Sequence, residues 1–214
     1  MGPGAHRSGL TGPVYKGLAI ATDDEETLLY AANFHDGRVD VFNGNFKKVE
    51  LDDGAFQDRN LPSDYGPFGI QERGGRIYVS FAQQKMPDKH DDLAGPGHGF
   101  IDVFTTEGHL VKRLVSRGVL NSPWGMALAP DGFGPFGDKL LVGNFGDGTI
   151  NAFDPHSGTS LGPLLDEHGQ PVQIDDLWGL IFGTNSTGGT HTLLFSAGIF
   201  DEKDGLVGSI NPVP

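Results

Sequence analysis

One motif recurs four times along the chain and limits the folds open to it. A glycine follows Lys, Phe or Trp and precedes apolar residues in YKGLAI, PFGIQ, PWGMAL and LWGLIF. The glycines are Gly17, Gly69, Gly125 and Gly179, at steps of 52, 56 and 54 residues. A repeat of that length is one supersecondary unit that cannot bury its apolar face alone, so neighbouring units must stack.

Each anchor is followed by an apolar run: LLYAA from Leu28, IYVSFA from Ile77, LLVGNF from Leu140 and LLFSA from Leu193. A third element follows. NFHDGRVDVF (33–42) and NFGDGTINAF (144–153) are near-twins; GFIDVF from Gly99 and DGLVGSI from Asp204 are looser copies. Each unit reads as three strands and a poorer fourth, near 46–49, 109–114 and 161–165, and the last unit has none. β-Branched and aromatic residues alternate with small or polar ones, and Gly, Asp or Pro marks each break. No stretch keeps a helical period over a dozen residues. The fold class is all-β, a β-propeller of four four-stranded blade repeats. The units are about 14–63, 64–121, 122–175 and 176–214, after a flexible N-terminal segment, 1–13. A solenoid would have shorter repeats, and a sandwich would not explain the anchors. Asp36-Gly37 and Asp147-Gly148 predict tight type I′ hairpins between second and third strands. Asn33 and Asn144 are expected to bond the turn backbone.

Composition narrows the function. The 34 glycines are about twice the usual share, as a turn-rich chain requires. The net charge of −13 opposes binding to nucleic acid, whose backbone calls for a basic surface, and to anionic membranes. The absence of cysteine excludes disulfides, thiolate zinc sites and cysteine nucleophiles. No apolar run approaches a membrane helix, and 1–12 reads as no signal peptide. There is no G-x-S-x-G elbow, HExxH or phosphate-loop lysine.

PWGMALAPDGFGPFGDKLLVGNFGDGTINAFD, LLYAANFHDGRVDVF, KHDDLAGPGHGFIDVF and the closing LWGLIFG and SAGIFDEKDGLVGSI resemble an uncharacterised bacterial propeller family related to the NHL and YVTN-type repeat proteins. The resemblance runs from about Val14 to Pro212. It implies a six-bladed ring of which this chain matches the C-terminal four blades, and an exported, extracellular or periplasmic protein. It carries no activity with it.

Two groups of residues are candidate sites. Lys16, Phe68, Trp124 and Trp178 precede the anchor glycines, where innermost strands meet a central channel. Three aromatics there would stack on a sugar ring or a flat apolar ligand, or fill the bore as core. Lactonase-like six-bladed propellers hold a calcium-type ion in this channel with carboxylates and Asn. The four residues here offer no such oxygen, so those ligands do not carry over. The long insertion 83–99, QQKMPDKHDDLAGPGHG, places His90, Asp91, Asp92 and His98 within nine residues, a set that suits a divalent metal or a solvated turn-rich excursion. The sequence favours a non-catalytic scaffold for a small ligand, glycan or protein partner, with no cofactor required and self-association if the ring is incomplete. The alternative is a metal-dependent hydrolase of the lactonase-like propeller type.

Overall fold

The structure is a computed structural model that describes residues 12–23 and 26–212. Residues 1–11 of the expected N-terminal segment lie outside them. Four antiparallel sheets follow one another along the chain. The first holds β1 (Tyr15–Asp23), β2 (Glu26–Asn33) and β3 (Arg38–Phe42). The second holds β4 (Tyr65–Arg73), β5 (Arg76–Gln83), β6 (Gly99–Phe104) and β7 (Leu110–Ser116). The third holds β8 (Pro123–Leu128), β9 (Leu140–Asn144), β10 (Ile150–Phe153) and β11 (Ser160–Pro163). The fourth holds β12 (Leu177–Phe182), β13 (Leu193–Ala197) and β14 (Leu206–Ile210). Where a fourth strand was expected in the first sheet, only a bridge from Phe42 to Lys48 forms. Helix is confined to one 3-10 turn, Gly134–Phe136, and four residues, Ile199–Glu202, among the described residues.

The inner strands pack in series, β1 on β4, β4 on β8 and β8 on β12. One apolar core fills each gap. Ala19, Tyr30, Val41, Ile70 and Ile77 share the first. Ile101, Val103, Met126 and Val142 share the second. Leu141, Ile150, Leu177 and Leu180 share the third. β5 shows why the strands read as they do. Ile77, Val79 and Phe81 point into the first core, while the Ser80 hydroxyl reaches forward to Pro123 O at 2.6 Å. A sheet sandwiched between sheets buries both faces, so alternate side chains serve different neighbours.

The repeated X-Gly pair has a common structural cause. In every inner strand the register shifts across it, between Tyr15 and Leu18, Pro67 and Ile70, Pro123 and Met126, and Leu177 and Leu180. Each pair is thus a β-bulge, which re-aims its side chain and bends the strand.

The hairpins differ from the expected type I′ turns. Asn33 pairs with Arg38, and Asn144 N bonds Thr149 O, so four residues span each turn. Of these, only Gly37 (φ +67°) and Gly148 (φ +70°) are left-handed. Type I′ requires both central residues there, whereas a four-residue loop built on a type I turn requires one. Asn33 does accept a bond from Asp36 N at 3.3 Å. Asn144 instead holds the connection between β7 and β8, accepting from Asn121 N at 3.0 Å and donating to Val119 O at 2.8 Å, and within its own hairpin it donates to the Thr149 hydroxyl at 3.1 Å.

Candidate functional site

The bulges bring three of the four predicted channel residues together. The Lys16 ammonium lies 5.8 Å from the Phe68 ring centroid, within cation–π range. Phe68 packs on Trp124 with centroids 4.7 Å apart. Phe68 is fully buried, so it supports the cluster and presents no face. Trp124 is half-buried and borders a concavity of about 370 Å³, walled by Leu18, Ile20, Gln71, Glu72 and Ile181 from all four inner strands. Trp178 stands apart. Its indole donates to Glu202 Oε1 at 3.0 Å and lies over Gly198, where a Cβ would sit 2.3 Å from the ring.

Two further rings complete the cluster, and sequence reasoning missed both. Phe34 is 5.1 Å from Phe68, and Phe145 is 5.8 Å from Trp124. They are the second residues of NFHDG and NFGDG. Their repetition at one position of two hairpins was the available signal, since turn residues without contacts have no reason to be aromatic.

The long insertion is an ordered extension of β5. Gln84 bridges Asp92, Lys85 N bonds Asp91 O at 2.8 Å, and Leu93 N bonds Gln83 O at 2.7 Å. Its four predicted ligands do not converge. The His90 ring meets His35 edge-on at 5.5 Å, Asp91 is exposed, and His98 Nδ1 pairs with Leu93 O at 2.8 Å. Among the described residues no three His, Cys, Asp or Glu side chains gather as a metal site would require, so the set does not fit a divalent ion by itself.

Asp92 links the loop to the aromatic cluster. It accepts a hydrogen bond from the Ser122 hydroxyl. Burial pushes its carboxyl above the ordinary value, against the Ser122 bond and the charge of Lys16. Ser122 directly precedes Pro123-Trp124 and takes φ +48°, a left-handed conformation costly for a non-glycine residue. Gln84 braces the other side, donating to Phe34 O. Of the loop residues, Asp92 is thus tied to the segment that carries Trp124, through Ser122, and feels the charge of Lys16, while the concavity beside Trp124 is lined by the inner strands and by neither Lys16 nor Asp92. A larger, mainly apolar cleft of about 530 Å³ between the third and fourth sheets, flanked by Phe133, Phe136, Leu161 and Leu165, contains none of the predicted residues.

Comparison with known proteins places this geometry. The chain superposes on a gluconolactonase from Xanthomonas campestris with a TM-score of 0.55 at 16% identity, covering 95% of this chain and 77% of that one. It superposes on an α-L-arabinofuranosidase from Fusarium graminearum with a TM-score of 0.56 at 13% identity, covering 91% and 57%. The fold is that of a β-propeller. At these identities the likeness concerns fold alone. No family model matches the chain. An uncharacterised protein of Acanthamoeba polyphaga mimivirus is 39% identical over 202 residues, covering 92% of this chain and 48% of its own. A second from the same virus is 40% identical over 203 residues, covering 92% and 51%. The chain therefore spans about half the length of the curated relatives it matches, and these come from a virus, where the resemblance implied bacteria.

Proposed function

We propose that this chain is a non-catalytic propeller module, four blades of a larger ring, that binds a small ligand or glycan against Trp124. Six blades in the full ring, and kinship with the NHL and YVTN-type repeat proteins, belong to this reading through the sequence resemblance. The observation that supports binding is the setting of Trp124, which is half-buried, borders a concavity walled by all four inner strands and packs on Phe68, over whose ring the Lys16 ammonium lies. Propeller ligands sit where inner strands converge, and pockets of this kind combine an apolar platform with a few orienting polar groups. A saccharide has that character, with C–H faces for the indole and hydroxyls for polar groups.

Titration with a panel of mono- and oligosaccharides, followed by tryptophan fluorescence and calorimetry, is expected to give saturable binding. Trp124→Ala is expected to weaken it about tenfold, equivalent to ~1.4 kcal/mol, while Trp178→Phe leaves it unchanged. A panel without response, or a Trp124→Ala variant that binds normally, overturns the assignment.

A metal-dependent hydrolase of the lactonase-like type is the second reading, favoured by the shared fold with a gluconolactonase. It would need side chains from further blades to join Asp92 or His98 around an ion. A stoichiometric divalent ion in purified protein, lost on Asp92→Asn, supports it over the scaffold.

A further inference from the structure

We propose that the cleft between the second and third sheets binds a free aromatic amino acid, its ring against Tyr78 and its charged head between Arg73 and Asp138. Both sheets carry four strands and pack on each other through one core. The cleft is therefore internal to the described blades and stays in place whatever blades flank them.

The first and second junctions start from the same repeat and end differently. Tyr30, opposite Val41, and Tyr78, opposite Val103, hold one position. Tyr30 is fully buried; its hydroxyl donates to Thr106 O at 3.1 Å, and its ring meets Phe56 edge-on at 5.8 Å. Phe56 comes from the long connection 43–64, and its N–H bonds Gly108 O at 2.8 Å in the turn after β6. In the second junction the chain passes from β7 to β8 through 117–122 alone. The glycine of the next turn, Gly158, packs on Leu114 instead. Pro155, two residues past Phe153, replaces Thr106, two residues past Phe104. Tyr78 is thus left half-buried, with no ring packed on it and no hydrogen-bond partner for its hydroxyl among the described residues. A cleft of about 440 Å³ opens there, walled by Tyr78, Leu128, Leu140 and Pro155, a size that suits a small molecule. An edge-on ring is what Tyr30 receives from Phe56 and what Tyr78 lacks, and such pairs gain beyond the area they bury.

The rim sets the head group. Arg73 and Asp138 both line the cleft and are exposed. Both are tied to consecutive residues at the end of β8: the Arg73 guanidinium donates to Leu128 O at 3.2 Å, and Asp138 N donates to Ala129 O at 3.1 Å. Neither side chain has an ion-pair partner among the described residues. Opposite charges held this close, each with free capacity, match a carboxylate and an ammonium on one carbon. The guanidinium receives the carboxylate in its fork, and Asp138 accepts from the ammonium. His156 borders the cleft as well, its carbonyl held by Lys112 Nζ at 2.7 Å. The inference is independent of ligand binding at Trp124.

Saturation-transfer NMR and calorimetry with L-phenylalanine test it. Saturable binding is expected, with the strongest transfer to the ring protons, and alanine should give none. Loss of a charge-assisted bond costs about tenfold or more, so 3-phenylpropionate, without the ammonium, and phenethylamine, without the carboxylate, should each bind more weakly by that factor. Arg73→Gln and Asp138→Asn, both at exposed positions, should weaken phenylalanine to the same extent. Arg73→Gln should leave phenethylamine binding unchanged, because that ligand lacks the group Arg73 holds. Saccharides should not displace phenylalanine, which keeps this site distinct from the one at Trp124. No binding of phenylalanine, or its displacement by a saccharide, overturns the site. Alanine binding as well as phenylalanine overturns the role of the ring, and 3-phenylpropionate binding as well as phenylalanine overturns the amino-acid head.

Discussion

Asp40 in the first sheet and Asp102 in the second occupy the same repeat position and meet opposite fates. Each lies on the third strand, Asp40 opposite Ala31 and Asp102 opposite Val79. Both are buried, at 2% and 0% exposure. Burial alone would raise both carboxyls. Around Asp40 that push is outweighed by bonds from Lys48, Asn33, Arg38 and Tyr15, at 2.7 to 2.9 Å, which hold it down to about 2. Asp102 is pushed up to about 7, by burial first and by Asp58 nearby, with Arg113 only partly opposing. Arg113 is 3.2 Å from Asp102 and also pairs with Asp58. Asp102 Oδ2 has no hydrogen-bond partner among the described residues. Strand position decides that a carboxylate is buried. The donors on its neighbours decide whether it keeps its charge.

The largest expected effect comes from removing the satisfied member. Asp40→Ala strips the acceptor from four donors and should cost about 2–3 kcal/mol at pH 7, read as a lower urea midpoint. A group depressed on folding stabilises above its unfolded value, and that stability is lost as pH falls from about 4 toward 2. The penalty of Asp40→Ala should therefore shrink across that window. A penalty equal at pH 2.5 and pH 7 would break the comparison.

Asp102 predicts the reverse sign at smaller size. A carboxyl raised on folding binds its proton more tightly in the native state, so its contribution is present below about pH 4 and is lost as pH rises toward 7. Asp102→Asn should be neutral or stabilising by about 1 kcal/mol at pH 8 and lose that advantage near pH 5. The third sheet already carries the change: Asn151 holds the same position, opposite Val142. Unfolding midpoints from pH 5 to 8 that run parallel in wild type and variant would sink the assignment.

The repeat made much of the fold legible. The anchor glycines and apolar runs mark the sheets because a residue type forced by close approach recurs wherever the approach recurs. The bulge was not legible, since it depends on partner register. The hairpin type is not legible either, because Asp-Gly suits two turns and only loop length separates them. In the site, Lys16 and Trp124 were found through the anchors. Phe34 and Phe145 lie inside a motif whose Asp-Gly pair reads as a turn. The bond between Asp92 and Ser122 joins residues 30 apart in sequence and leaves no local pattern. The difference between Asp40 and Asp102 was equally invisible, because DVF is identical in both strands. Only the surrounding donors distinguish them.

The smallest effect tests whether Asp40 is over-determined. Lys48 sits on the bridge that stands in for a fourth strand, its side chain 46% exposed, and reaches Asp40 Oδ1 at 2.7 Å. Deleting it leaves the bonds from Tyr15, Asn33 and Arg38 in place. A half-exposed ion pair of this kind contributes about 0.5 kcal/mol, so Lys48→Ala should barely move the urea midpoint at pH 7. The acid limb should move more visibly, because losing one donor raises the Asp40 carboxyl and starts acid unfolding at higher pH. If Lys48→Ala matched Asp40→Ala in cost, the charge at Asp40 would depend on one flexible side chain, and the first sheet would be as vulnerable as the second. Retention of most of the stability means that three donors from β1, β2 and β3 suffice, which is what the second sheet lacks around Asp102.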